Sequence, residues 1–291
     1  MAKFQGMKIN PKGYHRSQLK FFIILIPMSL FIGLPIIFIF SHAFKPTNEL
    51  FAFPPRFFVR VPTFQNFIDL VNFAGDGGVP FSRYLFNSVL VAGLGVFLSI
   101  LVTTLAAYGL SKLHFRGKKL LFEVNTLALM FVPIAVTIPR YITIAQMGLI
   151  DSYLVLILPL IAMPVGLFLV KQFIDQTPNE IIESAKIDGA SEMEIFIRII
   201  LPVIAPAVAT VAILAFQLIW NDPIGPNLYI DDESMKTLPF YFSTLAMEQG
   251  NTVAGQGMLA AASLIMFVPN LVIFIFLQSK VINTMAHSGI K

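Results

Sequence analysis

Residues with chemistry to offer are few and scattered along this chain. The four histidines, His15, His42, His114 and His287, show no HExxH spacing, so no metal-ligating pair falls on one helix face. Cysteine is absent, which excludes disulfides and thiol chemistry and leaves the redox compartment unreadable. No GxxxxGK[ST] run occurs, so the chain has no loop of that kind to cradle nucleotide phosphates. The Gly-rich GDGGVP from Gly75 to Pro80 lacks the Lys-Ser/Thr pair and the following helix, and reads as a turn. No Ser/His/Asp set can be argued from order alone. What remains is one polar island, Thr177 to Pro206, TPNEIIESAKIDGASEMEIFIRIILPVIAP, set between two apolar runs.

The local signals in this island describe two short helices meeting at a bend. Thr177 is placed to act as N-cap, with Pro178 at N1 and Glu180 at N3, which completes a capping box. Gly189 supplies a left-handed position that ends the first helix. Ser191 restarts one, with Glu194 three residues on as a second capping box. Pro202 stands where this helix meets the next apolar run. Such a hinge is either a surface made to receive a partner or a plain amphipathic hairpin.

Composition says what must carry the hinge. The chain has 291 residues, 56% hydrophobic and 12% charged, far too apolar for a soluble domain of this size. The net charge of +4 has no basic stripe behind it, so a nucleic-acid partner is not expected. The expectation is an all-α polytopic membrane protein with six transmembrane helices. The first span is Phe21 to Phe40, enough to cross a hydrocarbon core of about 30 Å and too long for a signal-peptide core. The others are Asn87 to Leu110, Leu120 to Thr143 with Pro133 and Pro139, Tyr153 to Val170 with Pro159 and Pro164, Val203 to Trp220, and Met258 to Leu277. Residues 1–20 form a basic tail, 21–277 the membrane domain and 278–291 a second tail, both tails expected in the cytoplasm. Fourteen of the 20 Lys and Arg fall on the proposed inner segments and six on the outer ones. The aromatic, Pro-rich stretch Ser41 to Arg83 is too polar to span, and forms either a surface for a substrate-delivery protein or a cap over helix ends.

The spans carry almost no charge at mid-depth, unlike ion-driven carriers. Glu123 and Arg140 fall near span ends, where both can snorkel. Neutral groups stand out instead: Asn125, Gln146, Gln217 and Asn221, with the lone Trp220 beside them. Amides and hydroxyls beside aromatics suit a sugar, although each alone is more often glue between helices.

Glu183, Ala185, Gly189, Ile199, Leu201 and Pro202 follow the "EAA" loop pattern of ABC-importer permease subunits, with Ser184 in place of the usual first alanine. The fuller run Asp188-Gly189-Ala190-Ser191 resembles the carbohydrate-uptake, maltose-transporter-like branch. AAYGLSKLHFRGKK, Trp220-Asn221-Asp222 and Thr237-Leu238-Pro239 resemble further motifs of that branch, with Pro223 standing where an aromatic is usual. The resemblance implies the type I ABC importer fold with a cytoplasmic coupling helix (EAA loop, 177–201), in a bacterial cell membrane. It implies a second related permease subunit, a cytoplasmic ATPase dimer that holds ATP and Mg, a solute-binding protein and a sugar substrate. No cofactor, metal or catalytic residue is then expected in this chain. Glu183, Ser184, Ala185, Asp188, Gly189, Ala190 and Pro202 would form the coupling site, and Ser288, Gly289, Ile290 and Lys291 would reach the ATPase. Permeation of a polyol phosphate, or a scaffold role without transport, stays open.

Overall fold

The computed structural model describes residues 19–288, and all regular structure among them is helical. The chain divides into two compact units: residues up to Leu70 together with Gln249–Leu264, and Val71–Glu248 together with Ile265 onward.

In the first unit, α1 (Leu19–Ala43) is apolar all round and exposed over nearly its whole length, with Phe31 77% exposed. A helix with no polar face and no protein cover is suited to lipid. After it, α2 (Thr47–Leu50) and the start of α3 (Gln65–Asp76) form a small folded cap. Lys45 is fully buried there and donates to the carbonyl of Arg56. Glu49 accepts the backbone N–H groups of Arg60 (3.0 Å) and Val61 (2.9 Å), which holds its carboxyl below the usual range. Asn66 donates to the carbonyls of Ala43 (3.0 Å) and Lys45 (2.8 Å). These side chains give the cap's loop backbone the partners that no helix or sheet provides.

The second unit is built on α4 (Phe81–Lys112), a 32-residue helix. Against it pack α7 (Tyr153–Ile161), α8 (Pro164–Asp175) and α12 (Ala205–Trp220). Small residues allow the approach: a Cβ on Gly95 would stand 2.6 Å from Cδ1 of Ile219 on α12. At one end of α4, Asn87 is fully buried and donates to the carbonyls of Ser234 and Lys236, both at 2.8 Å. Ser88 accepts the N–H of Leu238, which opens α14 (Leu238–Gln249). The final helix, α15 (Val253–Ser288), runs 36 residues with Pro269 inside it.

Among the described residues three helices are long and apolar enough to cross a membrane: α1, α4 and the Val253–Ser279 part of α15. Two bent pairs raise the number to five if each pair is one span. The α7–α8 pair bends by 43° just before Pro164, because proline drives its predecessor out of the helical region. The other pair bends by 80° at Ile204, between Glu192–Val203 and α12. The expected third span, Leu120 to Thr143, does not form one helix. It consists of α5 (Lys118–Ala128), an open stretch, a tight turn at Pro133–Val136 and α6 (Thr137–Gln146). Pro133 brings no N–H to a helical ladder, and the break falls immediately before it.

Candidate docking hinge

The polar island folds as two short helices, α9 (Asn179–Ile187) and α10 (Glu192–Ile195), joined at Gly189. Gly189 has φ +85° and donates to the carbonyl of Lys186, while the N–H of Ala190 reaches the carbonyl of Ala185, each at 3.0 Å. That double closure satisfies the last carbonyls of α9 and turns the chain sharply. Ser191 and Glu194 form the expected capping box, with the Glu194 N–H donating to Ser191 Oγ and the Ser191 N–H to Glu194 Oε2. From α10 the helix widens by one turn over Phe196–Ile200 and continues into α11 (Leu201–Val203), which contains Pro202.

The first capping box does not form. Pro178 takes an extended conformation (ψ 139°), so the helix opens one residue late, at Asn179. Thr177 is buried and its hydroxyl has no partner among the described residues. The end is held from a distance instead: Lys112 of α4 donates to the carbonyl of Thr177 (2.7 Å) and to Oδ1 of Asn179 (2.8 Å). A second tie joins the other half of the hinge. The Tyr108 hydroxyl donates to Glu192 Oε2 at 2.6 Å, and Lys186 pairs with Oε1 of the same carboxylate at 2.5 Å. Neither Tyr108 nor Lys112 carried a local signal for this role. Their partners lie 84 and 65 residues onward.

Burial divides the hinge into two faces. Ile182, Ile195, Phe196 and Ile200 join Ala107 and Tyr108 of α4, Val170 and Ile174 of α8, and Ala207 and Val211 of α12 in one apolar core. Fully burying an isoleucine is worth about 1.5–3 kcal/mol, so the wholly buried Ile174, Ile195, Ile200 and Ile204 bind hinge and helices into one body. The other face is exposed. It carries Glu183, Ser184, Asp188 and Gly189, together with Ile187 (86% exposed) and Met193 (56%). Ala185 and Ala190 are half-buried between the faces, and Pro202 is exposed farther along. A free apolar side chain among charges on a rigid bend is the composition of a contact surface.

The candidate substrate residues are not brought to one place. Gln217 and Asn221 line a cavity of about 370 Å³ between α6, α7, α12 and α13 (Ile224–Tyr229). Trp220 is buried, stacks on Phe216 and donates through Nε1 to the carbonyl of Met266. Asn125 donates to the carbonyl of Pro164 and borders a smaller cavity of about 170 Å³. Gln146 is exposed at the end of α6. Arg140 lines the larger cavity. Gly289, Ile290 and Lys291 lie outside the described residues, as do residues 1–18 of the expected N-terminal tail, and of Ser288 only the helical backbone is described.

The helical bundle is matched by known proteins. Residues 95–279 match the family of binding-protein-dependent transport system inner membrane components. The chain belongs to this family. It is an integral membrane permease of the ABC-importer kind. Among its relatives is the arabinooligosaccharides transport system permease protein AraQ of Bacillus subtilis (strain 168), 31% identical over 93% of this chain and 94% of that one. The galactooligosaccharides transport system permease protein GanQ of the same organism is 30% identical, again over 93% and 94%. Among solved structures, a bacterial ABC transporter involved in the import of the acidic polysaccharide alginate superposes with a TM-score of 0.79, at 20% identity, over 93% of this chain and 99% of that one. At that identity the likeness speaks for the fold of this permease.

Proposed function

We propose that this permease forms, with a second related subunit, the path by which a saccharide enters a bacterial cell across the cytoplasmic membrane. Six crossings carry it, the broken α5–α6 segment being the one added to the five that pass by length and composition. Both termini then face the cytoplasm, and so does the hinge. ATP and Mg are held by a separate ATPase dimer, and a solute-binding protein delivers the sugar. Relatives named for arabinooligosaccharides and galactooligosaccharides support the substrate class.

The observation that carries the coupling role is the exposed hinge face, with Ile187, Glu183 and Asp188 outside and a shared core behind. An ATPase that grips this face and closes moves α9 and α10 as one piece. Lys112 and Tyr108 pass that movement to α4, and the 80° bend at Ile204 passes it to α12. Glu183 offers a carboxylate to a basic group of the ATPase, and Ala185 stays small where packing is close. Gln217 and Asn221 face the sugar in the cavity. Reconstituted vesicles test the reading: uptake requires ATP and the ATPase, and Glu183→Lys lowers uptake while the protein still inserts. Unchanged uptake in that variant refutes the docking role of Glu183. Gln217→Ala that leaves transport and specificity untouched removes this residue from the path.

A further inference from the structure

The 370 Å³ cavity is lined by one guanidinium and one carboxylate, Arg140 and Asp222, with Tyr229 between their influences. Arg140 lines it from α6, and its guanidinium makes no hydrogen bond or ion pair among the described residues. Asp222 makes no ion pair with it among the described residues and keeps its charge, while its oxygens are held by backbone N–H groups. Asp222 Oδ1 accepts the N–H groups of Ile224 (2.9 Å) and Gly225 (3.1 Å), which closes the turn into α13. Asn221 is also engaged, donating to the carbonyl of Gln217 (2.9 Å) and accepting from Asn270 (3.3 Å). The exposed Gln217 lines the same cavity, and its side-chain amide has no partner among the described residues. Apolar residues such as Val155, Leu156 and Leu160 form much of the remaining wall.

A guanidinium whose donors are unused beside a largely apolar wall attracts an oxyanion, even with a carboxylate elsewhere on that wall whose own oxygens are turned to backbone N–H groups. A guanidinium presents a planar fork that fits an oxyanion through two parallel hydrogen bonds. The volume lies at the small end of the roughly 300–1,000 Å³ usual for small-molecule sites, which suits one or two sugar rings. We propose that this cavity receives an oxyanion carried on a saccharide, a carboxylate or phosphate substituent, with Arg140 as the residue that pairs with it. Gln217 then donates to a neighbouring ring or hydroxyl oxygen. This rests on the saccharide reading above and narrows it to acidic sugars. A lipid headgroup phosphate offers the same chemistry and is separated from the sugar by experiment.

The test uses the purified transporter with its partner subunits and compares binding of digalacturonate with neutral digalactose, and of glucose 6-phosphate with glucose, by titration calorimetry. At least one acidic probe binds about tenfold or more tightly than its neutral partner. Arg140→Gln removes that preference, and Arg140→Lys, which keeps the charge, retains part of it. In the unsubstituted protein high salt shrinks the preference, a readout independent of how any variant folds. Equal binding of acidic and neutral probes, or a preference that survives Arg140→Gln, overturns the proposal. So does native mass spectrometry in which the substitution strips a bound phosphatidylglycerol while neither acidic sugar is favoured. Neutral sugars binding without an acid preference sinks only the charge assignment. Failure of every saccharide to bind sinks the saccharide reading with it.

Discussion

The two halves of the hinge begin with similar letters and are held in different ways. Thr177-Pro178-Asn179-Glu180 and Ser191-Glu192-Met193-Glu194 both present a hydroxyl three residues before a glutamate. The second closes its capping box within four residues. The first leaves its hydroxyl unpaired and takes its support from Lys112, on another helix. The difference is proline. With Pro178 extended, Thr177 lies outside the first turn and its side chain points at no free N–H. One half is therefore fixed by its own sequence and the other by the membrane helix it serves. That asymmetry suits a lever: α10 is stiff locally, and α9 is tied to α4.

Substitutions break this comparison in graded steps. The largest effect is expected at the junction, where Gly189→Pro imposes a negative φ on a position that needs +85°. It costs about 3 kcal/mol or more and abolishes uptake in vesicles, with the loss visible in thermal unfolding of the purified protein. Lys112→Met removes two hydrogen bonds from a charged group and costs about 1.5–3 kcal/mol, loosening α9 alone. Hydrogen exchange should then rise across 179–187 and stay unchanged across 192–195. Ser191→Ala costs about 1 kcal/mol and reverses that pattern. Thr177→Val stays within about 0.5 kcal/mol of the parent, because a buried hydroxyl without a partner contributes nothing to be lost. A cost for Thr177→Val equal to that of Ser191→Ala would erase the distinction between the halves.

The helical membrane class, the bend at Gly189 and the Ser191 cap were legible because short-range rules govern them. Apolar runs set helix length, and glycine and serine act on backbone within four residues. The failed Thr177 cap was not legible, since a proline suits both the first helical position and the one before it, and the tie from Lys112 comes from 65 residues away. The interruption of the third span was not legible for a related reason. Its apolar count is sufficient, but the break before Pro133 divides it, and only the packing around it decides where the helix resumes. Arg140 read as a snorkelling span end, and that it also lines a cavity is a matter of rotation about α6 that the apolar pattern leaves open. Gln217 and Asn221, singled out by residue type, line that cavity. Trp220, next to them, turned inward to Met266.

Ile187→Cys offers the most direct test, because the chain has no cysteine of its own and position 187 is 86% exposed on the hinge. Express this single-cysteine protein with its ATPase, and treat intact cells and inverted vesicles with a membrane-impermeant maleimide and then with a thiol cross-linker. The hinge account predicts labelling only in inverted vesicles, and a cross-link to the ATPase. Labelling from outside intact cells, or a purified transporter in which position 187 never cross-links to an ATPase, contradicts it.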